Sequence, residues 1–204
     1  GHVQRAHDPR AGERLLPLVA GAHRHQPGHL VLGKANLLAA QFRLGRVRTA
    51  MTFDDKAQTW DADPIKQERA RAVAAAMRRR IPLRHDWHAL EYGCGTGLLS
   101  FALLSDFAQI TLADNSTGML AVLDQKIAAA GASHLQSLAL DLSTDALPVA
   151  RYDLIYTLLT MHHVADIDRL LRAFHDLLQP GGWLAIADLD AEDGSFHGPG
   201  FVGH

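Results

Sequence analysis

The sequence predicts an α/β fold: a doubly wound, mostly parallel sheet with helices on both faces. Three observations predict it. Short apolar runs alternate with stretches of helical periodicity from about residue 87 onward, the rhythm of strand–helix–strand units. A glycine-rich turn, Glu91-Tyr-Gly-Cys-Gly-Thr-Gly97, lies directly between one such run and one such helix. A second run then ends on an acid, Asp114, about 20 residues past the turn, the spacing at which nucleotide-binding α/β folds place a ribose-binding carboxylate.

The elements follow in order. Asp63-Pro64 is a helix start, with Asp as N-cap and Pro at the first helical position. Ile65, Arg69, Ala72, Val73, Ala76 and Met77 recur at helical spacing. Arg78-Arg79-Arg80 suits the negative end of that helix as solvated charge. The first strand is expected over 87–92 and its helix near 96–105. The second strand is expected over 109–113. Ser116 caps a helix to about Ala130, and Gly131 stops it. A third strand is expected over 135–140 and a fourth over 152–158. Asp166 caps a helix to about Leu178, ended by a Pro180-Gly181-Gly182 turn, and a fifth strand is expected over 183–189. Right-handed crossovers then put residues 91–97, 114, 141 and 157–163 on one edge of the sheet.

Bulk properties narrow the function. The 204 residues are 48% hydrophobic with a net charge of −2, which suits a globular domain and gives no reason to expect nucleic acid as a partner. No uninterrupted apolar stretch reaches the length of a membrane span. The single cysteine, Cys94, cannot form an internal disulfide, and a cytoplasmic location is the expectation. Charge is uneven: residues 1–50 carry eight Lys or Arg and two acids, Asp8 and Glu13, while the remainder is acidic. Two segments are therefore expected. Residues 1–50 form a basic, His-rich, poorly ordered extension, and residues 51–204 the domain, with Met51 as a candidate start. Scarce acids would suit an organellar presequence, but no Ser precedes Ser100. The piece Leu37–Leu44 has the pattern of a short amphipathic helix.

Six strings carry a family resemblance: Glu91–Gly97, Leu112-Ala-Asp-Asn-Ser-Thr-Gly-Met-Leu120, Leu140-Asp-Leu142, Tyr152-Asp-Leu-Ile-Tyr156, Met161-His-His-Val164 and Leu178-Gln-Pro-Gly-Gly-Trp-Leu184. In this order they resemble the class I S-adenosylmethionine-dependent methyltransferases, and in particular the small-molecule branch that includes quinone-biosynthesis enzymes. The resemblance implies a Rossmann-like sheet, S-adenosyl-L-methionine as cofactor and a small-molecule methyl acceptor. It puts Gly93, Gly95 and the adjoining Cys94 and Gly97 backbone against the cofactor's amino-acid and ribose portions. Asp114 would accept from both ribose hydroxyls, with Asn115 beside it. Met119 would pack on the adenine, and Asp141 would accept from its amine next to the Leu142 backbone. Glu91 would contact the amino group, and Thr157 completes the set.

Each residue also has a plainer reading. Asp114 can be a surface carboxylate, Asp141 a turn cap before Ser143, and Met119 a core residue. Cys94 reads as a small buried side chain with no partner base. His162 and His163 are the candidate catalytic residues, since one could serve as a base if the acceptor must lose a proton. The plainer reading makes them packing histidines. A metal centre built from His162, His163, Asp188 or His197 lacks tight ligand spacing, and none is expected.

The pattern departs from the family at its end. The familiar fold has seven strands, the last two an antiparallel pair beside strand five, and this pair is expected to be missing. Strand five would then be an exposed apolar edge, since residues 1–50 show no clear strand alternation. Two alternatives to the methyltransferase reading stay open: a catalytically impaired cofactor-binding remnant, and an NAD(P)-dependent oxidoreductase, because the same loop-and-acid logic binds dinucleotides.

Overall fold

The structure is a computed structural model. It describes residues 52–189 with their side chains and the backbone of residues 29–34. The amphipathic piece Leu37–Leu44, the rest of the proposed extension and His197 lie outside the described residues.

Six strands form one sheet: β1 (His29–Lys34), β2 (His88–Tyr92), β3 (Gln109–Asp114), β4 (Leu135–Ala139), β5 (Tyr152–Leu158) and β6 (Leu178–Asp188). Their order is β1-β6-β5-β2-β3-β4, and every pairing among them is parallel. From β2 the chain winds outward through β3 and β4, then returns to lay β5 on the other side of β2. The crevice between the carboxyl ends of β2 and β5 is thus the topological switch point, where such sheets bind ligands.

Local chemistry sets the helix ends. Asp63 accepts from the N–H of Ile65 and caps α2 (Pro64–Arg80), with Pro at its first position. Ser116 accepts from Met119 and caps α4 (Thr117–Ala130), which stops at Gly131 in the left-handed region at φ 60°. Asp166 accepts from Arg169 and caps α5 (Ile167–Leu177). A single turn, α1 (Phe53–Lys56), starts with a capping box between Thr52 and Asp55. The short α3 (Leu98–Ala102) follows the glycine turn.

Strand parity divides the core. Ala89, Ile110, Leu112, Leu154 and Tyr156 pack with α2, α3 and α4 residues such as Ala74, Met77, Leu99 and Leu123. Leu90, Tyr92, Ile155, Leu184 and Ile186 pack with Leu170, Phe174 and Leu177 of α5. Both faces are covered, as a parallel sheet requires.

Three expectations are corrected. Strand five does not lie open at the edge: β1 pairs along it from His29↔Trp183 to Lys34↔Asp188. The run His29-Leu-Val-Leu-Gly-Lys34 is continuous rather than alternating, so a search for alternation passes over it. Pro180-Gly181-Gly182 is not a turn ahead of the last strand but a bulge inside it. Tyr152 pairs with Leu178 and Leu154 with Trp183, with a register break between, and Gly181 takes φ 82°. Arg78 is not simply solvated. It grips Asp106 at 2.6 Å and the Ala102 carbonyl at 2.6 Å, tying α2 to the turn after α3.

Candidate functional site

The glycine turn leaves β2 at the switch point. Gly93, Gly95 and Gly97 all have positive φ. Two of them are glycine for different reasons. A Cβ on Gly93 would sit 2.2 Å from Thr160 Cγ2, because the loop after β5 lies on top of it; a Cβ on Gly97 would sit 2.7 Å from Leu123 Cδ1 and 3.0 Å from Leu112 Cδ2. Gly97 therefore faces the core, while Gly95 opens toward Trp60 and Met119, at 3.8 and 3.9 Å from where its Cβ would be. Cys94 is buried in the α3-side core, and burial pushes its thiol well up. That chemistry suits a packed thiol, not a nucleophile.

Asp114 closes β3 beside the turn. Its Oδ2 accepts from Gly95 N–H at 2.7 Å and its Oδ1 from Ser116 N–H at 2.8 Å. Burial holds the carboxyl above its usual value, against the Ser116, Gly95 and Asn115 backbone donors that lower it. Three donors do not fill a carboxylate's four lone-pair sites, so the group can still accept a hydrogen bond. Asn115 is exposed, and its backbone borders that carboxylate. Met119 is buried in the first turn of α4.

Asp141 is held close by Leu140 N–H, which donates to the Asp114 carbonyl at 3.1 Å. Its Oδ1 caps a turn by accepting from Ser143 at 2.8 Å; among the described residues nothing hydrogen-bonds Oδ2. Leu142 N–H donates to the Tyr92 hydroxyl at 3.2 Å, and its side chain is core. Glycine turn, Asp114, Met119 and Asp141 thus line the carboxyl ends of β2, β3 and β4.

Glu91 goes elsewhere. Strand parity puts it on the α3 face, only 2% exposed, where its Oε2 accepts from Ser100 N–H at 3.1 Å and from the Ser100 hydroxyl. Ser100 Oγ in turn lies 2.6 Å from the Tyr156 hydroxyl. Burial pushes the Glu91 carboxyl up to about 8 and the Tyr156 phenol well above its usual range.

The β5 side of the crevice holds the other predicted residues. Thr157 is buried, and among the described residues its hydroxyl has no hydrogen-bond partner. Leu159 takes φ 53°, rare for a non-glycine residue, and Thr160 Oγ1 donates toward the Gly93 carbonyl at 3.3 Å. His162 and His163 follow in a 3-10 turn (Met161–His163). His162 Nδ1 is 2.6 Å from Asp188 Oδ1, while Asp188 also accepts from Met161 and Leu189 N–H. Burial works to raise the Asp188 carboxyl, but the His162 contact and the two N–H donors outweigh it and hold the group below its usual value. The His163 ring stacks on His162 at 4.0 Å and meets the Phe53 edge at 5.3 Å.

Sequence reasoning missed the strap over this crevice. Residues 53–62 run across the carboxyl edge, pinned at both ends. Asp54 Oδ1 accepts from Ser116 Oγ at 2.5 Å and Gly118 N–H at 2.8 Å, adding a second cap to α4. These bonds hold its carboxyl below the usual range. Asp61 accepts from Lys126 at 2.5 Å and from the Thr96 hydroxyl. Phe53 and Trp60 pack edge to face between these pins. The legible signal was Thr52-Phe-Asp-Asp55, a capping box carrying an aromatic, with Trp60-Asp61 just beyond it.

Comparison with known proteins agrees with this geometry. The methyltransferase-domain family profile matches residues 90–184, which begins inside β2 and ends inside β6. Over these residues the chain is similar to methyltransferase domains. It is 31% identical over 132 residues to trans-aconitate 2-methyltransferase of Deinococcus radiodurans, covering 63% of this chain and 48% of that protein. It is 27% identical over 129 residues to a ubiquinone biosynthesis O-methyltransferase of Leptothrix cholodnii, covering 56% of this chain and 54% of that protein. The chain spans about half the length of these curated relatives. Among solved structures, the methyltransferase fold recurs in CcbJ of Streptomyces caelestis, with TM-score 0.55, 22% identity, and 66% and 56% of the two chains covered. A complex of DhpI with SAH superposes with TM-score 0.56 at 24% identity, covering 69% of this chain and 67% of that one. Among the described residues no helix is long and apolar enough to cross a membrane.

Proposed function

We propose that the protein binds S-adenosyl-L-methionine and transfers its methyl group to a small-molecule acceptor. One observation carries the reading. Asp114, a carboxylate with acceptor capacity to spare, is hydrogen-bonded to Gly95 at the switch point, and Met119 lies against the same glycine. A ribose diol needs such a pair of acceptor oxygens, and only a glycine backbone lets it come so close. The residues fit the remainder of the cofactor as well. Asp141 Oδ2 offers an acceptor for an exocyclic amine, and the Thr157 hydroxyl is a donor without a partner among the described residues.

When bound, the cofactor supplies an activated methyl on a sulfonium sulfur. The chain's own contribution is to position and to exclude water. The loop of residues 158–160 and the Phe53–Trp60 strap close the β5 side of the crevice. An acceptor held there against the β2 turn would be within reach of in-line attack, and exclusion of water strengthens each polar contact. Glu91, buried under the turn, is a counter-charge beneath the cofactor's amino-acid end. His163, facing Phe53, is the better placed of the two histidines to meet an acceptor, since His162 Nδ1 is engaged by Asp188.

Titration calorimetry with S-adenosylmethionine and, separately, with NADH tests the reading. Binding of the first alone is expected; binding of NADH alone overturns it in favour of an oxidoreductase. A transfer assay with labelled methyl donor over phenolic, carboxylic and amine acceptors follows. Cofactor binding without transfer to any of them supports the impaired cofactor-binding alternative.

A further inference from the structure

Glu91 combines features that ordinary anchoring does not need. Its carboxyl is buried at the end of β2, two residues before Gly93. All its hydrogen bonds fall on one oxygen: Ser100 donates twice to Oε2, and among the described residues nothing hydrogen-bonds Oε1. A carboxylate 2% exposed, with no cation paired to it among the described residues, is costly, and protonation removes the cost.

The charges around it point the same way. Asp114 on β3 repels a negative Glu91. Among the described residues Lys126 on α4 is the one cation that favours it, but its ammonium is already engaged by Asp61 at 2.5 Å and by the Thr96 carbonyl at 2.6 Å. Cys94 in the turn and Tyr156 on β5 are both pushed toward their neutral forms by burial. Ser100 on α3 contributes dipoles only. The pocket therefore holds one carboxyl short of positive charge, beneath the turn where a cationic ligand is proposed to bind.

We propose that Glu91 carries a proton in the free protein and releases it when the positive charge of S-adenosylmethionine enters, so that cofactor binding is proton-linked. This rests on the cofactor reading above. The Glu91 O–H bond breaks, the proton goes to solvent, and the remaining carboxylate stays as counter-ion to the ligand's ammonium and sulfonium. No other reactant is required. Burial places the free carboxyl at about 8, which puts the exchange within the physiological range.

The test is titration of the protein with S-adenosylmethionine by calorimetry in buffers of different ionisation enthalpy. Between about pH 6 and 7.5 the ligand's own α-ammonium remains mostly protonated. There the wild-type protein is expected to release close to one proton per ligand bound. Its apparent affinity should rise by up to about tenfold per pH unit. Glu91→Gln should bind with no proton release and no such rise. Equal proton counts in the two proteins overturn the proposal, whereas absence of any binding by the wild-type protein overturns the cofactor reading instead. Infrared difference spectra of the unaltered protein cover the case in which Glu91→Gln does not fold. Loss of a buried carboxylic-acid carbonyl band on adding S-adenosylmethionine supports the exchange, and an unchanged band overturns it.

Discussion

Gly93→Ala is the sharpest test of how the crevice is built. At φ 69° an alanine is in the left-handed region, which costs an L-residue roughly 1–2 kcal/mol. Its Cβ would also lie 2.2 Å from Thr160 Cγ2, 2.3 Å from Oγ1 and 2.8 Å from Cβ. Rotation about χ1 cannot clear the contact with Thr160 Cβ, so the loop after β5 must shift, an overpacking cost of about 1–3 kcal/mol. The expected loss is therefore about 2–5 kcal/mol, read as a lower urea midpoint at unchanged slope. Gly131→Ala is the matched control: φ is 60°, but nothing lies within 4 Å of its Cβ. It should lose only the conformational part. Thr160→Ala removes the two shortest contacts, so Gly93→Ala should cost less in that background, a coupling visible in a double-mutant cycle. If Gly93→Ala and Gly131→Ala are equally destabilising, or if Thr160→Ala gives no relief, the close approach of the two loops is refuted.

The remaining expectations concern the site's charges. Asp114→Asn keeps one acceptor oxygen and loses the charge, and S-adenosylmethionine affinity measured by calorimetry should fall about tenfold to hundredfold; unchanged affinity would remove Asp114 from the cofactor site. Asp54→Ala should free the strap, giving faster amide exchange in the first turn of α4 and earlier proteolytic cleavage near residues 53–62; identical exchange would mean that the strap is held by its aromatics. Glu91 should make the domain less stable in alkali. Its folded value of about 8 exceeds its ordinary 4.5, so between these values the native state binds more protons than the unfolded one. Stability then declines as pH rises through that window, by a total on the order of 5 kcal/mol. Glu91→Gln should flatten the decline in urea titrations from pH 5 to 9.

Much of the architecture is written in short stretches of chain. The caps at Asp63, Ser116 and Asp166 and the stop at Gly131 act within a few residues of themselves, so they are visible without a fold. The same holds for the glycine turn and for Asp114 at its strand end. Features that join distant residues were not legible. Asp54 caps a helix 62 positions away at Ser116. The bulge in β6 exists because Pro180 to Gly182 must slip against Tyr152 and Leu154. Gly97 looks like its neighbours in the string, yet it turns its α-carbon to Leu123 and Leu112.

Sequence by itself thus determined the class of fold, the edge on which the chemistry collects and the likeness to methyltransferases, because these depend on periodicity, capping and turn geometry, all local. Tertiary structure alone decided which acids line the crevice and which face the core. Asp114 and Glu91 lie near the ends of neighbouring strands, but the first is bound by the turn's backbone and the second by Ser100 from α3. A carboxylate's role is set by what desolvates it and what donates to it, and both come from elements far apart in the chain.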